Sequence, residues 1–243
     1  MELNPWQWSE TDKGSSVKLS SNCSRVLFHE GNSLGCSAVM GNLPFGKCME
    51  HYFEVEMYRP FHGNVRMVGI TTHLVPLETF DYCYQPLIGQ TKCSFGLNYN
   101  GKAYHNGQTV QVVKESDVDI ETLEKITIGV LYDAFSNTIS FLFNGCSYGT
   151  IYRSVDPSMQ YYPIVCSTAR NSVIQLTVCR STVATLKNLC RAAIRKYTIG
   201  NQIQGDEHVL NSLPLPPQLL SYLNFSTYEA KPDEGTIRKE TIV

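Results

Sequence analysis

Short strand-like segments follow one another along most of the chain, and this repetition limits the folds open to it. Residues 52–58 and 173–178 alternate between apolar and polar side chains, as strands do when one face is buried. Asn-Gly, which suits hairpin turns because both residues tolerate positive φ, occurs three times, at 100, 106 and 144. Further β-branched or aromatic runs bounded by turn residues cover residues 65–70, 125–132, 137–143 and 161–166. The sequence therefore predicts a mainly β fold, an antiparallel β-sandwich.

The pattern changes near Ser181, where apolar residues begin to recur at the three-and-four spacing of one helical face. Ser181 or Thr182 can cap the start of this helix, and Gly200 ends it. A stripe of this kind belongs either to an ordinary core helix or to a docking surface. The recurring residues are Val183, Leu186, Leu189, Cys190, Ala193, Ile194 and Tyr197.

Leucine and proline alternate over residues 213–216, where the fixed proline dihedral favours an extended backbone. We expect the two leucines to project outward, as in a segment that a partner grips. Pro217 is a favourable first residue for a second, shorter helix.

Composition supports a packed core followed by smaller parts. The chain has 243 residues, of which 42% are apolar, and this is enough for one large domain with an appendage or for two modest domains. We predict a β-sandwich over residues 1–180, a helical region over 181–224 and a disordered tail over 225–243, because the residues beyond Phe225 are polar. The formal net charge of −2 gives no general reason to expect nucleic acid or an anionic membrane as partner.

Targeting and metal-binding signals are weak. Residues 1–8 lack the basic and apolar regions of a signal peptide, so we expect the chain to stay inside the cell, in the cytoplasm or the nucleus. The nine cysteines are odd in number, scattered and free of any Cys-x-x-Cys pair. This pattern favours small buried apolar residues over disulfides or zinc ligands. We therefore expect no metal and no cofactor.

The two C-terminal motifs match those of a known family. The elongin-binding helix of that family reads Thr/Ser-Leu-x-x-x-Cys-x-x-x-aliphatic, and here its positions are Thr185, Leu186, Cys190 and Ile194. The cullin-5 box of the family reads Leu-Pro-aliphatic-Pro, and here its positions are Leu213, Pro214, Leu215 and Pro216. From Trp6 to Leu223 the chain thus resembles the SPRY domain-containing SOCS box proteins, and residues 162–169 look most like the third member.

This resemblance implies a SPRY (B30.2-like) sandwich followed by a small α-helical SOCS box. It further implies a non-catalytic adaptor, which recruits elongin C with elongin B, and cullin 5 with its RING subunit, for the ubiquitination and proteasomal degradation of bound proteins. The implied cullin contact is residues 213–216. The implied elongin C contacts are Thr185, Leu186, Leu189, Cys190 and Ile194.

Family members bind short asparagine-containing peptides through loops of the sandwich, and the resemblance implies a matching site here. Met40 falls where relatives often carry arginine, and Ala169-Arg170 falls where several carry tryptophan-glycine, so we expect a pocket of different charge and floor. The implied peptide contacts are Met40, Thr72, Tyr84, Leu87, Thr168 and Ala169.

Three other interpretations stay open at this point. Residues 31–35 spell Gly-Asn-Ser-Leu-Gly, the pattern of a hydrolase nucleophile elbow with Ser33 as nucleophile. Alternatively, the sandwich is a peptide-binding module that recruits no ligase, and the 183–197 helix is a core helix or a basic membrane-surface helix. Finally, the terminal Glu240-Thr241-Ile242-Val243 resembles a PDZ ligand ending in Val243.

Overall fold

A computed structural model of the chain describes residues 6–114, 119–153, 155–183, 186, 189–191, 193–194 and 213–223, with the backbone alone at 121 and 221. A 3-10 turn lies at Ile120–Thr122, and helix α1 spans Pro217–Leu223. The strands are β1 (Trp8–Lys13), β2 (Val17–Leu19), β3 (Arg25–Phe28), β4 (Ser37–Gly41), β5 (Met49–Tyr58), β6 (Arg66–Thr71), β7 (Ser94–Asn98), β8 (Lys102–His105), β9 (Gln108–Gln111), β10 (Lys125–Asp133), β11 (Thr138–Phe143), β12 (Cys146–Tyr152), β13 (Tyr162–Ser167) and β14 (Ser172–Val183).

These strands form two seven-stranded antiparallel sheets that enclose a common core. The first sheet has the order β1-β4-β13-β6-β7-β8-β9, and the second has the order β12-β11-β10-β5-β14-β3-β2. The predicted antiparallel sandwich is therefore confirmed. The alternation predicted for β5 is confirmed as well, because Phe53, Val55 and Met57 are fully buried while Glu54 and Glu56 lie on the opposite face.

Two of the three Asn-Gly pairs form the expected two-residue hairpin turns. Asn106 and Gly107 join β8 to β9 with φ of 51° and 72°, and Asn144 and Gly145 join β11 to β12 with φ of 48° and 79°. Positive φ at both positions matches the right-handed twist of the flanking strands. The third pair lies in the longer β7–β8 connection, where only Gly101 has positive φ.

A second, smaller apolar cluster covers the outer face of the first sheet. Val39 and Val165 face the main core, so their neighbours Met40 and Ile164 face the other way. The connection between β6 and β7, residues 72–93, folds over this outer face and adds apolar side chains to it. The cluster comprises Cys36, Ala38, Met40, Val65, Met67, Leu87, Ile88, Tyr162, Ile164 and Cys166.

The prediction that a helix starts at Ser181 or Thr182 is wrong, because both residues belong to strand β14. β14 continues to Val183, with Val183 paired to Met49 of β5 and Ser181 paired to His51. His51 Nδ1 also lies 2.7 Å from the Ser181 hydroxyl. Strand pairing satisfies the backbone hydrogen-bonding groups of these residues, so it overrides the local capping signal.

The cysteine prediction holds only in part. All nine cysteines are free thiols, and Cys36, Cys93 and Cys166 are buried as expected. The expectation of burial is wrong for Cys48, Cys83, Cys146 and Cys190, which are exposed, while Cys23 and Cys179 are intermediate. Of the exposed cysteines, Cys48 lies in a turn, Cys83 in an isolated bridge to Gly35, Cys146 at the start of β12 and Cys190 in the C-terminal motif.

Two buried histidines predict that the sandwich loses stability in mild acid. His29 Nε2 lies 2.8 Å from the Ser167 carbonyl, His51 bridges Ser181 and Gly46, and burial lowers the pKa of both imidazoles. The unfolded chain, with histidine pKa values near 6.5, therefore takes up protons first as pH falls. The free energy of unfolding should decline below about pH 6.5, by up to about 1.4 kcal/mol per pH unit for each histidine.

Urea unfolding at pH 7.5, 6.5 and 5.5 measures this decline. In His51→Gln the amide can still donate to the Gly46 carbonyl, and the slope between pH 6.5 and 5.5 should fall by about half, since one of the two titrating groups is gone. A wild-type unfolding free energy that is constant across this range would contradict the assignment.

Candidate functional site

The predicted elongin-binding stripe is exposed at the end of β14. Leu186, Leu189 and Ile194 are 76%, 39% and 41% exposed, although an amphipathic helix that belonged to the core would bury them. The core-helix interpretation is therefore wrong for the described part of the stripe, while Thr185 lies outside the described residues. The described residues here are helical, and we call them the box helix residues: Leu186, Leu189, Cys190, Arg191, Ala193 and Ile194.

The exposed apolar side chains of the box helix residues could contribute binding free energy if a partner covered them. Covering one leucine-sized side chain is worth about 1.5–3 kcal/mol, and several apolar side chains lie together here. Val183, the last residue of β14, is also 67% exposed. A contiguous apolar surface on a folded chain marks an interaction site.

The leucine-proline segment runs into α1. Leu215 N–H donates to the Leu213 carbonyl at 2.7 Å, so the segment contains a tight turn and the expectation of a fully extended backbone is wrong. Leu213 and Leu215 are half-buried, whereas Pro214 and Pro216 are exposed. The predicted short helix is confirmed, since α1 starts at Pro217.

Three loops meet at the opposite end of β14, near its start at Ser172. The Tyr84 hydroxyl donates to the Ser33 carbonyl at 3.0 Å, and the Ser33 hydroxyl donates to the Thr168 carbonyl at 2.7 Å. Tyr82 N–H donates to the Leu34 carbonyl at 2.8 Å. These hydrogen bonds hold the loops around 33, 83 and 168 together as one surface.

The structure does not gather the six predicted peptide contacts around an open pocket. Met40 and Leu87 lie together in the buried outer cluster, at 1% and 5% exposure, and Ala169 is also buried. Thr72 and Thr168 are buried at opposite ends of the β6–β13 pair, because Thr71 pairs with Tyr162 while Arg66 pairs with Ser167. Of the six, Tyr84 alone is exposed.

Three other exposed apolar residues, which the motif comparison missed, belong to the same loops as Tyr84 and Ser33. Leu34, Phe80 and Tyr82 are 50%, 58% and 68% exposed, and the Tyr82 and Tyr84 rings lie 6.5 Å apart. We call Leu34, Phe80, Tyr82 and Tyr84 the aromatic patch. Its signal in the sequence is the alternation Phe-Asp-Tyr-Cys-Tyr over residues 80–84, with an aromatic residue at every second position. Asp81 and Tyr82 both have positive φ, an arrangement that is costly outside glycine and common at binding sites.

The surroundings of Ser33 do not support a hydrolase. A nucleophile elbow leads from a strand into a helix, whereas the residues after Gly35 lead into strand β4. The Ser33 hydroxyl donates to the Thr168 carbonyl, with the Gly35 carbonyl 3.1 Å away, so its proton is held by backbone acceptors. The nucleophile interpretation is therefore wrong in its structural context.

Neither a membrane-spanning helix nor a metal site is found within the described residues. No helix among them has the length and apolarity needed to cross a membrane. A search of the same residues finds no group of three His, Cys, Asp or Glu side chains arranged to hold a metal ion. The terminal Val243 of the PDZ-like motif lies outside the part of the chain that the structure describes.

Comparison with solved structures defines the class of the sandwich. It resembles the TRIM65 PSpry domain with a TM-score of 0.54 and 14% identity, covering 72% of this chain and 93% of that domain. It also resembles the SPRY domain of human HERC1 with a TM-score of 0.53 and 18% identity, covering 70% of this chain and 96% of that domain. The fold is therefore that of a SPRY domain.

Sequence models place a second domain after the first. The SPRY domain model matches residues 50–181, and the SOCS box model matches residues 182–224. The chain belongs to the SPRY domain-containing SOCS box proteins. It is 30% identical over 222 residues to SPRY domain-containing SOCS box protein 3 of Xenopus laevis, and 30% identical over 221 residues to that of Xenopus tropicalis. These matches cover 90% of this chain and 57% of each relative, and they confirm the likeness to the third member.

Proposed function

We propose that this chain is the substrate-recognition subunit of an E3 ubiquitin ligase built on elongin B–C, cullin 5 and a RING subunit. The observation that carries this proposal is the exposure of Leu186, Cys190 and Ile194, which match the elongin-binding motif and are not covered by the sandwich. Elongin C would bury Leu186, Leu189, Cys190 and Ile194, together with Thr185. Each buried leucine contributes to affinity in the way of an interface anchor.

Cullin 5 would contact residues 213–216. Leu213 and Leu215 are only half-buried in the chain itself, so they retain apolar surface for a partner, and the two prolines are exposed beside them. The turn at these residues and α1 directly after them give the segment a defined shape. Preorganisation of this kind reduces the entropy lost on binding.

The adaptor would catalyse nothing itself. Its sandwich would hold a target protein in the cytoplasm or nucleus, and the recruited RING subunit would promote transfer of ubiquitin to that protein, followed by proteasomal degradation. Residues 1–180 would form the substrate-binding part and residues 181–224 the SOCS box. The matched ranges, 50–181 and 182–224, support a boundary close to residue 181.

The substrate would bind as a short asparagine-containing segment at the aromatic patch. Tyrosine rings give flat apolar surface with a hydrogen-bonding tip, and such a tip can pair with a side-chain amide. Because Met40 and Leu87 are buried, they would support the loop beneath the bound segment, and Tyr84 would contact the segment directly.

Binding of the C-terminal Val243 to a PDZ domain is a separate proposal, which rests on the last four residues of the sequence alone.

Size-exclusion chromatography of the purified chain with elongin B–C, followed by addition of cullin 5, tests the assembly. We expect a stable complex at micromolar concentration, first with elongin B–C and then with cullin 5. A chain that elutes separately from elongin B–C at these concentrations would refute the adaptor assignment.

Substitution of the aromatic patch tests the substrate site. In affinity purification from cell extract, Tyr82→Ser combined with Tyr84→Ser should lose target proteins by about tenfold or more, since interface tyrosines commonly act as hot spots. Elongins and cullin should remain bound. The matched control is Val110→Ser on β9, which is 57% exposed at the far edge of the first sheet. If the double variant and the control recovered every partner equally, the aromatic patch would not be the substrate-binding site.

A further inference from the structure

An ion pair between described residues joins the sandwich to the SOCS box. Arg191, among the box helix residues, places Nη2 3.1 Å from Asp133 Oδ2, and these side chains are only 12% and 6% exposed. The Arg191 guanidinium also lies over the Tyr222 ring of α1, 4.6 Å from its centroid. A single side chain therefore contacts the sandwich and both helical parts of the box.

Asp133 is itself held in a fixed orientation. It is the last residue of β10, and its Oδ1 accepts hydrogen bonds from the N–H groups of Phe135 and Ser136 at 2.9 and 3.0 Å. These bonds form the β10–β11 turn and leave Oδ2 directed to Arg191. The planar guanidinium meets a carboxylate that cannot rotate freely, so the pair has one favourable geometry.

Because this ion pair is buried, it can restrict the orientation of the SOCS box on the sandwich, which an exposed ion pair would do only weakly. Charged groups removed from water must stay paired, because an arrangement that leaves one of them buried alone is strongly disfavoured. Other orientations of the box on the sandwich would separate Arg191 from Asp133 or expose both. The pair thus selects one orientation from the set that the connecting chain would otherwise allow.

The ion pair lies far from the aromatic patch, so a small change in the angle between sandwich and SOCS box moves the patch by a large distance. Asp133 pairs with Glu50, and Val183 pairs with the adjacent Met49, so the ion pair lies at the Val183 end of β14. The aromatic patch is tied through Thr168 to the Ser172 end of the same strand, which has twelve residues and spans about 36 Å. A rotation of about 10° at the ion pair would therefore move a bound substrate by about 6 Å.

We propose that Arg191 and Asp133 are a positioning pair that fixes the angle between the substrate-binding sandwich and the SOCS box. The consequence for ubiquitin transfer rests on the proposed ligase function, but the orientation itself belongs to the chain alone. The pair sets where a bound substrate is presented.

Distance measurement by double electron–electron resonance tests this proposal on the full chain. Spin labels go on Gln108 of β9 and Gln218 of α1, both exposed, through click chemistry because the chain has nine cysteines. Wild type should give a narrow distance distribution. Arg191→Gln and Asp133→Asn should each broaden it by about twofold or more, because the fixed geometry is lost. The control Glu30→Gln, which removes the exposed Lys18–Glu30 pair, should leave the width unchanged.

Two further readouts separate orientation from stability and from ligase recruitment. Urea unfolding followed by tryptophan fluorescence reports the sandwich, which holds Trp6 and Trp8, and should differ little between Arg191→Gln and wild type. Arg191 lies outside the sandwich, so this variant serves even if Asp133→Asn fails to fold. An unchanged distance width in folded Arg191→Gln would overturn the proposal. Because the labels report on the chain without elongin, failure of elongin binding would refute the proposed function and leave this test intact.

Discussion

Leu186→Asp is expected to weaken binding of elongin B–C by about 100-fold or more, which corresponds to about 3 kcal/mol. Leu186 is 76% exposed in the isolated chain, so its apolar surface is available to a partner and contributes little to the packing of the sandwich. If elongin C covers this surface as proposed, an aspartate in the same place would be buried there as an unpaired charge, which is costly. Isothermal titration calorimetry with purified elongin B–C measures the loss.

The same substitution should leave the fold intact. Removing an exposed leucine costs the folded chain almost nothing, so the free energy of unfolding should stay within about 0.5 kcal/mol of wild type. The matched control is Leu74→Asp, since Leu74 is 72% exposed but lies in the β6–β7 connection. Elongin affinity equal in Leu186→Asp and Leu74→Asp would show that the exposed stripe is not the elongin contact.

The sequence predicted the sandwich well because its signals are local. Alternation in β5 depends only on the two faces of one strand, and Asn106-Gly107 and Asn144-Gly145 meet the φ requirements of their own turns. The error at Val183 has a different origin. Its spacing from Leu186 fits a helix, yet the deciding factor is pairing with Met49, which lies far away in the chain.

In the candidate sites, too, features set by the local sequence could be predicted and features set by distant residues could not. Exposure of Leu186 follows from a motif that can be read along one helical face. Burial of Met40 and Leu87 could not be predicted, because it depends on how residues 72–93 fold back over the outer face of the first sheet. The ion pair between Arg191 and Asp133 joins residues of opposite charge from separate domains, and nothing in the local sequence of either identifies its partner.

Leu87→Ala is expected to lower the free energy of unfolding by about 3 kcal/mol, as large-to-small changes in cores do. Leu87 is 5% exposed and packs in the outer cluster with Met40 and Ile88, so its removal leaves a cavity beneath the loop. The matched control is Leu74→Ala, the same chemical change on an exposed leucine of the same connection, which should cost less than about 0.5 kcal/mol. Urea unfolding at pH 7.5 measures both.

A third variant separates support of the loop from contact with substrate. Tyr84→Ala loses the hydrogen bond to the Ser33 carbonyl and should cost about 1 kcal/mol of stability, yet it should reduce substrate capture as strongly as Leu87→Ala or more. Hydrogen exchange of residues 72–93 should rise in Leu87→Ala, because local opening follows the loss of buried contacts, and should change little in Tyr84→Ala. If Leu87→Ala instead kept wild-type stability and exchange but lost substrate, Leu87 would be a direct peptide contact, and the buried cluster would have to open when the substrate binds.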